Sequence, residues 1–193
     1  MKMKSEQLRG ELIAWTHQHL NDAEALKQMP LDALRWKASE QQWNVLECIE
    51  HLNLYGDYYL PEIEKQISRS RYPAEEVFKS GLLGNYFAKT MLPREKLNKM
   101  KTFQDKNPLD SKLDRSVLDR FIDQQKQTLE LLDQSRKVSL SRTKTGISIS
   151  KWIRLRLGDT FRVVIYHNRR HMVQAEKALQ AYKKSGKTAV LIK

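Results

Sequence analysis

The sequence predicts an all-α protein, built as a four-helix bundle with two long connections. Its 193 residues contain only 7 glycines and 5 prolines, a composition that argues against a turn-rich β protein. Four long segments carry apolar residues at spacings of three to four, which is the pattern of amphipathic helices. Such helices bury their apolar stripes against one another, so we expect residues 1–193 to fold as one bundle domain.

Prolines mark the first two predicted helices. The first helix covers about 5–28 and ends before Pro30. The second covers about 43–69, with its apolar positions along one side. Pro61 lies inside this second pattern. Because proline removes a backbone donor and clashes with the preceding turn, we expect the helix to kink or break near Leu60.

The other two long helices are predicted in the second half of the chain. The third covers about 112–136. The fourth covers about 159–184, with Asp159 after Gly158 as its predicted N-cap. Gly186 ends the apolar pattern, as glycine often does just beyond a helix.

Two connections are long enough to hold further structure. Residues 70–111 between the second and third helices include an accessory helix predicted at about 74–90, followed by the polar loop "KTFQDKNPLD". Residues 137–158 include "ISISKWIRLRL", whose alternation is typical of either a short strand or an extended crossover. The final residues, "KTAVLIK", are apolar enough to pack, and a contact with a partner subunit in a homodimer is one alternative.

Charge and cysteine content narrow the class of protein. The net charge is +12, which fits either a basic groove for nucleic acid or an acidic partner, or lysines and arginines that solvate helix surfaces. The basic residues are spread along the chain without a known nucleic-acid motif, so we expect no nucleic-acid partner. The chain has one cysteine, no apolar run long enough for a membrane span and no secretory signal pattern. We therefore expect a cytoplasmic protein with no membrane partner.

Two histidines lie four residues apart in the stretch "IYHNRRH" of the fourth predicted helix. On a helical wheel His167 and His171 fall on the inward side, whereas Arg169 and Arg170 fall on the other side. Imidazoles at this spacing can point toward one metal ion. The alternative is a pair of hydrogen-bonded core histidines. The stretch is not a zincin motif, because Asn168 stands where that motif has its catalytic glutamate.

A third histidine lies on the second predicted helix. His51 falls beside the apolar stripe, and Tyr55 and Tyr58 share this mixed face, which suits the wall of a cavity. Facing helices would bring His51 to the pair, and three histidines with an open coordination position form a catalytic type of metal site. The other two histidines are weaker candidates: we expect His17 in solvent and His19 at a polar edge of the first helix.

Two residues shortly before His51, Glu47 and Cys48, are candidates for a role in chemistry. Glu47, one turn before His51, is either a proton acceptor close to the metal or an exposed helix carboxylate, and the exposed carboxylate is the preferred interpretation. Cys48 has no catalytic context in the sequence and is interpreted as a small buried apolar residue. The three histidines are assigned as metal ligands, and no catalytic residue is assigned.

The stretches "WNVLECIEHLNLY" and "GDTFRVVIYHNRRHMVQAEKAL" resemble the DinB-like family of bacterial four-helix bundles. That family has one histidine on its second helix and an H-x-x-x-H pattern on its last, which fall here on His51, His167 and His171. Its frequent tryptophan at the start of the second helix matches Trp43. Its pattern R-H-x-x-Q after the first of the paired histidines matches Arg170, His171 and Gln174. The resemblance follows the helix order over essentially the whole chain.

The resemblance implies a divalent metal ion, typically zinc or nickel, held by the three histidines. Some members of the family are thiol-dependent transferases that act with low-molecular-weight thiols such as bacillithiol or mycothiol, and others are described as metal-dependent hydrolases. The leading hypothesis is therefore a metal-dependent enzyme of one of these two types, acting on a small-molecule substrate. The alternative is a metal-stabilised bundle without chemistry, acting as a binding or stress-response protein, for example as a homodimer.

Overall fold

The structure is a computed structural model that describes residues 1–93 and 102–186. Its helices are α1 (Ser5–Lys27), α2 (Leu31–Arg35), α3 (Val45–Ser68), α4 (Leu82–Met91), α5 (Ser116–Gln134) and α6 (Leu157–Lys184). Its strands are β1 (Lys2–Lys4), β2 (Val77–Lys79), β3 (Lys144–Ile147) and β4 (Ser150–Arg156). Single 3-10 turns cover Gln104–Lys106 and Ser135–Lys137.

The four long helices form the bundle that the sequence predicts. Helix α3 packs against both α5 and α6, and α1 packs against the same two helices, so α1 and α3 occupy diagonal corners. The short helix α4 covers one end of α6. Two small antiparallel sheets complete the fold: β1 pairs with β2, and β3 pairs with β4 as a hairpin. The all-α, four-helix-bundle class is confirmed, with these short strands added.

The predictions for the second and third helices need one correction each. Helix α3 is continuous from Val45 to Ser68, so the predicted break at Pro61 is wrong. Leu60, directly before this proline, and Ile63, two residues after it, are both buried in the bundle core, and this burial offsets part of the cost of the lost backbone donor. Helix α5 begins at Ser116, four residues later than predicted, where Asp114 accepts a 2.9 Å hydrogen bond from the Ser116 backbone.

Helix α6 begins two residues before the predicted N-cap, so that assignment of Asp159 is wrong. Strand β4 runs directly into the helix, and Asp159 lies inside its first turn. Its buried carboxylate accepts hydrogen bonds from the Ser80 hydroxyl, from the Gly81 backbone at 2.8 Å and from the Arg162 guanidinium at 3.0 Å. At the other end, Gly186 adopts a φ of 73° and ends the helix as predicted.

The long connections hold more strand than the sequence indicated. The accessory helix predicted at 74–90 is wrong over its first part, where β2 pairs with β1 before α4 begins at Leu82. The strand alternative for "ISISKWIRLRL" is confirmed by β3 and β4. Helix α4 approaches α6 closely at Gly84, where an added Cβ would lie 2.5 Å from the Asp159 carboxylate.

A polar layer divides the core of the bundle in two. One apolar cluster includes Leu12, Ile63 and Phe161, and the other includes Leu46 and Phe121. Between them, each long helix contributes buried polar side chains, namely Thr16 and His19 from α1, Asn53 from α3, Gln125 and Thr128 from α5, and Asn168 from α6. The candidate metal ligands lie at this level of the bundle, so the layer marks the height of the site.

The predictions for the C-terminal tail and for the extent of the domain are not tested by the structure. The apolar tail, residues 187–193, lies outside the described residues, so its contact with a partner subunit stays a prediction. The same holds for the extent of a single domain over residues 1–193. Within the described ranges, none of the helices combines the length and the apolar character that crossing a membrane requires.

Candidate metal centre

Three imidazoles converge at the junction of α3 and α6. His51 extends from α3, and His167 and His171 extend from successive turns of α6, as the i and i+4 spacing predicted. The Nε2 atoms of His51 and His167 are 3.2 Å apart, and one ligand nitrogen from each of the three rings lies within 4.8 Å of the others. The sequence-predicted ligand set is therefore brought together, and its spacing could hold one metal ion.

Hydrogen bonds fix the rings of His51 and His171 on the side that points away from the other imidazoles. His51 donates from Nδ1 to the Lys106 carbonyl oxygen at 2.7 Å, and His171 donates from Nδ1 to Gln174 Oε1 at 2.9 Å. Metal-binding histidines usually have such a partner, because it fixes the tautomer and leaves the other nitrogen unprotonated. In both rings that free nitrogen is Nε2, on the side where the three rings meet. This donor set therefore fits a divalent ion.

The environment favours neutral imidazoles. Burial lowers the pKa of His51 to about 4. Burial also lowers the pKa values of His167 and His171 well below their usual range, and the neighbouring histidines and Arg170 act in the same direction. A neutral imidazole is the form that binds a metal ion, so the site requires little proton release at neutral pH.

Two aromatic side chains frame the rings. The Trp43 indole lies 4.7 Å from His51 and 5.8 Å from His171 between ring centroids, and its N–H donates to Asn107 Oδ1 at 3.2 Å. The Tyr55 ring lies 5.0 Å from His51, and burial raises the pKa of its hydroxyl to about 12. The tyrosine therefore stays protonated near neutral pH and can act as a hydrogen-bond donor beside the site.

A cavity of about 1030 Å³ reaches the three histidines. Its lining includes Trp43, Tyr55 and the α6 residues that face this side of the bundle. Among the described lining residues, Arg170 and Lys177 carry fixed charges, and none is a carboxylate. The prediction that Arg170 lies on an outward face is wrong: it is buried and lines the cavity, because the cavity extends around the flank of α6. Arg169 instead stacks 3.6 Å from the Trp15 ring centre.

The preferred interpretation of Glu47 as an exposed carboxylate is wrong. Its carboxylate is fully buried, and it accepts hydrogen bonds from the backbone of Asn44 at 2.9 Å and of Asp110 at 2.7 Å. The Lys37 ammonium lies 2.8 Å from the same carboxylate. Glu47 therefore anchors the loop before α5 to the start of α3. The spacing Asn44-x-x-Glu47 is a capping box, a signal the sequence carried.

Cys48 lies inside the second apolar cluster, which confirms its prediction as a small buried apolar residue. The thiol is fully buried, and burial, together with the Glu47 carboxylate, raises its pKa far above the usual range. It therefore stays a protonated thiol and has no access to the candidate site.

The two remaining histidines, His17 and His19, have different environments. His17 is exposed, as predicted. The edge position predicted for His19 is wrong, because this side chain is 1% exposed and stacks on Trp15 with 6.4 Å between ring centroids. Neither of its ring nitrogens has a hydrogen-bond partner among the described residues. His19 belongs to the polar layer of the core and not to the metal centre.

Replacing His19 with leucine should make folding less sensitive to acid. Burial, with a contribution from Arg169, lowers the pKa of His19 to about 3, whereas an unfolded histidine titrates near 6.5. Between these two values the unfolded chain binds a proton that the folded chain does not, so stability falls as the pH falls. Urea unfolding with a chelator present should show that the variant loses up to about 1.4 kcal/mol less per pH unit than the parent. Equal pH dependence of the two proteins would contradict this account.

Comparison with known proteins adds one finding. The model of the DinB superfamily matches residues 15–175, a span that includes all three converging histidines. Searches among curated proteins and among solved structures gave no significant match. The matched span covers most of the chain and both helices that carry the histidines.

Proposed function

The chain belongs to the DinB superfamily, and we propose that it is a metal-dependent enzyme acting on a small molecule. In this proposal one divalent ion is held by His51, His167 and His171. The observation that carries the proposal is the convergence of three imidazoles at a cavity, two of them already fixed on their far side by Lys106 and Gln174.

The metal would supply Lewis acidity, which lowers the pKa of a bound thiol or water so that it reacts as a nucleophile near neutral pH. Three histidine ligands suit several divalent transition metals, including zinc and nickel, and these two are the ions we propose. The residues around the triad would orient the ligands: Lys106 and Gln174 through their hydrogen bonds, and Trp43 and Tyr55 by restricting ring rotation.

The lining of the cavity favours the thiol-transferase type over the hydrolase type. Among the described lining residues there is no carboxylate that could accept a proton from an attacking water. A small thiol depends less on such a base, because a thiol is a much stronger acid than water before either meets the metal ion, and the thiolate is itself the nucleophile.

The cavity also favours an enzyme over a bundle that uses metal only for stability. Structural metal sites are usually closed by four protein ligands, whereas catalytic sites keep a position open. An open cavity of about 1030 Å³ against the triad would give a small molecule access to that position, which a purely structural site does not need. A cytoplasmic location, a homodimer and the absence of a nucleic-acid partner stay predictions of the sequence.

Metal-dependent thiol transfer is the expected activity. We suggest incubating the zinc-loaded and nickel-loaded protein with a panel of small thiols and chlorodinitrobenzene, in which the thiolate attacks the ring carbon and chloride leaves. Conjugate formation above the uncatalysed rate should appear with at least one thiol, and it should stop on chelation and in His51→Ala. The variant His17→Ala, which removes an exposed histidine away from the triad, should retain the rate.

Two other results would replace the proposal. Metal-dependent cleavage of activated esters without any thiol would support the hydrolase type. Metal binding without turnover in either panel would support the non-catalytic alternative.

A further inference from the structure

A short stretch of chain before α5 lies against the metal centre. We name residues 104–110 the docked segment; it begins with the 3-10 turn Gln104–Lys106 and ends at Asp110. Its hydrogen-bond partners in and just before α3 lie more than fifty positions earlier in the chain. The segment is therefore part of the surroundings of the site and more than a connection between helices.

Two hydrogen bonds join the docked segment to the metal centre. The Lys106 carbonyl oxygen accepts from His51 Nδ1 at 2.7 Å, so one bond reaches a metal ligand directly. Asn107 Oδ1 accepts from the Trp43 indole N–H at 3.2 Å. The centroid of that indole ring lies 4.7 Å from the His51 ring and 5.8 Å from the His171 ring. The second bond therefore acts on two ligands through one aromatic side chain.

The end of the docked segment is anchored away from the triad. Asp110 donates its backbone N–H to the buried Glu47 carboxylate at 2.7 Å, and the Lys37 ammonium lies 2.7 Å from the Asp110 carboxylate. Between these anchors and the triad, Asn107 Oδ1 also accepts from the Leu109 backbone at 3.3 Å. One side-chain oxygen therefore links the fold of the segment to the position of the Trp43 indole.

We propose that Asn107 is a positioning residue of the metal centre, and that docking of this segment and binding of the metal ion strengthen each other. The inference rests on the proposed function for the ion at the triad. Asn107 acts through Trp43, whose indole limits rotation of two ligand rings. Lys106 acts on the third contact, because its carbonyl fixes the tautomer of His51. Coupling between two binding equilibria is reciprocal, so an ion that gains affinity from the docked segment also stabilises it.

This coupling has a consequence for the substrate. Asn107 and Leu109 line the same cavity as the three histidines. An ion that stabilises the docked segment therefore also stabilises one wall of the cavity. We expect the metal ion to bind before the substrate, because the wall is complete only in the loaded protein.

The zinc affinity of the full chain, measured by competition with a chromophoric chelator, tests the positioning role. Asn107→Ala should weaken zinc binding about tenfold, at the lower end of the range for partners of metal ligands. Trp43→Phe keeps an aromatic ring without the N–H donor and should also weaken it. In that background Asn107→Ala should have little further effect, because both changes break the same contact. Gln104→Ala is the matched control, since it removes an exposed amide from the same segment and should leave the affinity unchanged.

Hydrogen exchange of the parent protein tests the reverse direction without any substitution. Zinc should slow exchange of the Asn107, Leu109 and Asp110 backbone amides about tenfold, because the loaded segment opens less often. Strand β2, which pairs with β1, is the comparison and should change much less. In His51→Ala zinc should cause no slowing in the docked segment.

The outcomes separate this inference from the proposed function. Tight zinc binding that is equal in Asn107→Ala and Gln104→Ala, or that leaves exchange in the docked segment unchanged, would overturn the inference and leave the proposed function standing. A parent protein that binds no zinc or nickel would overturn both. If loss of near-UV circular dichroism shows that Asn107→Ala is misfolded, exchange in the parent protein decides.

Discussion

Replacing His51 with alanine should abolish the binding of a divalent metal ion. His51 is the ligand that α3 contributes, and the two remaining imidazoles come from a single helix. Loss of a partner outside the ligand set commonly costs about 10–100-fold in metal affinity, and loss of a ligand itself should exceed that range. The parent protein should bind about one ion per chain, as three ligands around one centre require.

Metal titration followed by dialysis and elemental analysis measures this effect. His17→Ala is the matched control, because it removes an exposed histidine from the same bundle and should leave the stoichiometry unchanged. The metal content of Gln174→Ala should lie between those of His51→Ala and His17→Ala, because this change removes the hydrogen-bond partner of His171 Nδ1 without removing a ligand. Equal metal content in His51→Ala and His17→Ala would show that the ion is bound elsewhere.

Replacing Asp159 with alanine should lower the free energy of unfolding by about 3–5 kcal/mol. The Asp159 and Arg162 side chains are both buried, and their charged groups lie 3.0 Å apart. The same carboxylate holds Ser80 and Gly81, which lead into α4, so its loss leaves a buried cation and detaches this connection. The effect should be large because a buried charge without its partner is far costlier than a lost surface pair.

Urea unfolding of the metal-free protein measures this change in the free energy of unfolding. The urea concentration at the midpoint should fall, while the slope of the free energy against urea concentration should stay constant. Asp123→Ala is the control: it breaks an exposed pair with Lys126 and should change stability by less than about 1 kcal/mol. The double variant Asp159→Ala with Arg162→Met should recover part of the loss, because it also removes the buried cation. A loss for Asp159→Ala as small as that for the control would contradict the account of this pair.

Helical periodicity predicted the long helices well, because their burial pattern is local. Helix α1 differs from its predicted bounds by one residue, and the wheel placed His167 and His171 on the side that faces α3. The short strands were harder to predict. Strand β2 pairs with residues 2–4, which are more than seventy positions away, and no local pattern reports such a partner.

The surroundings of the ligands could be predicted only in part. Gln174 was identified through the family resemblance, and the structure gives it a role as the partner of His171. The partner of His51 is a backbone carbonyl, that of Lys106, and a backbone group leaves no signal in residue type. Burial of Arg170 was missed because a wheel assigns direction without showing where a cavity opens.

The burial of His19 could not be predicted from the apolar pattern of α1 alone. A histidine beside an apolar stripe usually lies at a hydrated edge, and no local pattern indicates that the other long helices also carry polar residues at the same height. The polar layer formed by residues such as Gln125 and Asn168 becomes visible only once the helices are aligned. Position along the bundle axis, and not amphipathicity, decides the environment of this side chain.

The central claim is that His51, His167 and His171 bind one divalent ion and leave a coordination position open toward the cavity. X-ray absorption at the zinc or nickel edge of the loaded protein tests it most directly. We predict three imidazole nitrogens at about 2.0–2.1 Å from the ion, with one or more further light-atom ligands from solvent, and no metal absorption edge above background from dialysed His51→Ala. A spectrum with fewer than three imidazoles in the parent protein, or one that is unchanged in His51→Ala, would contradict the claim.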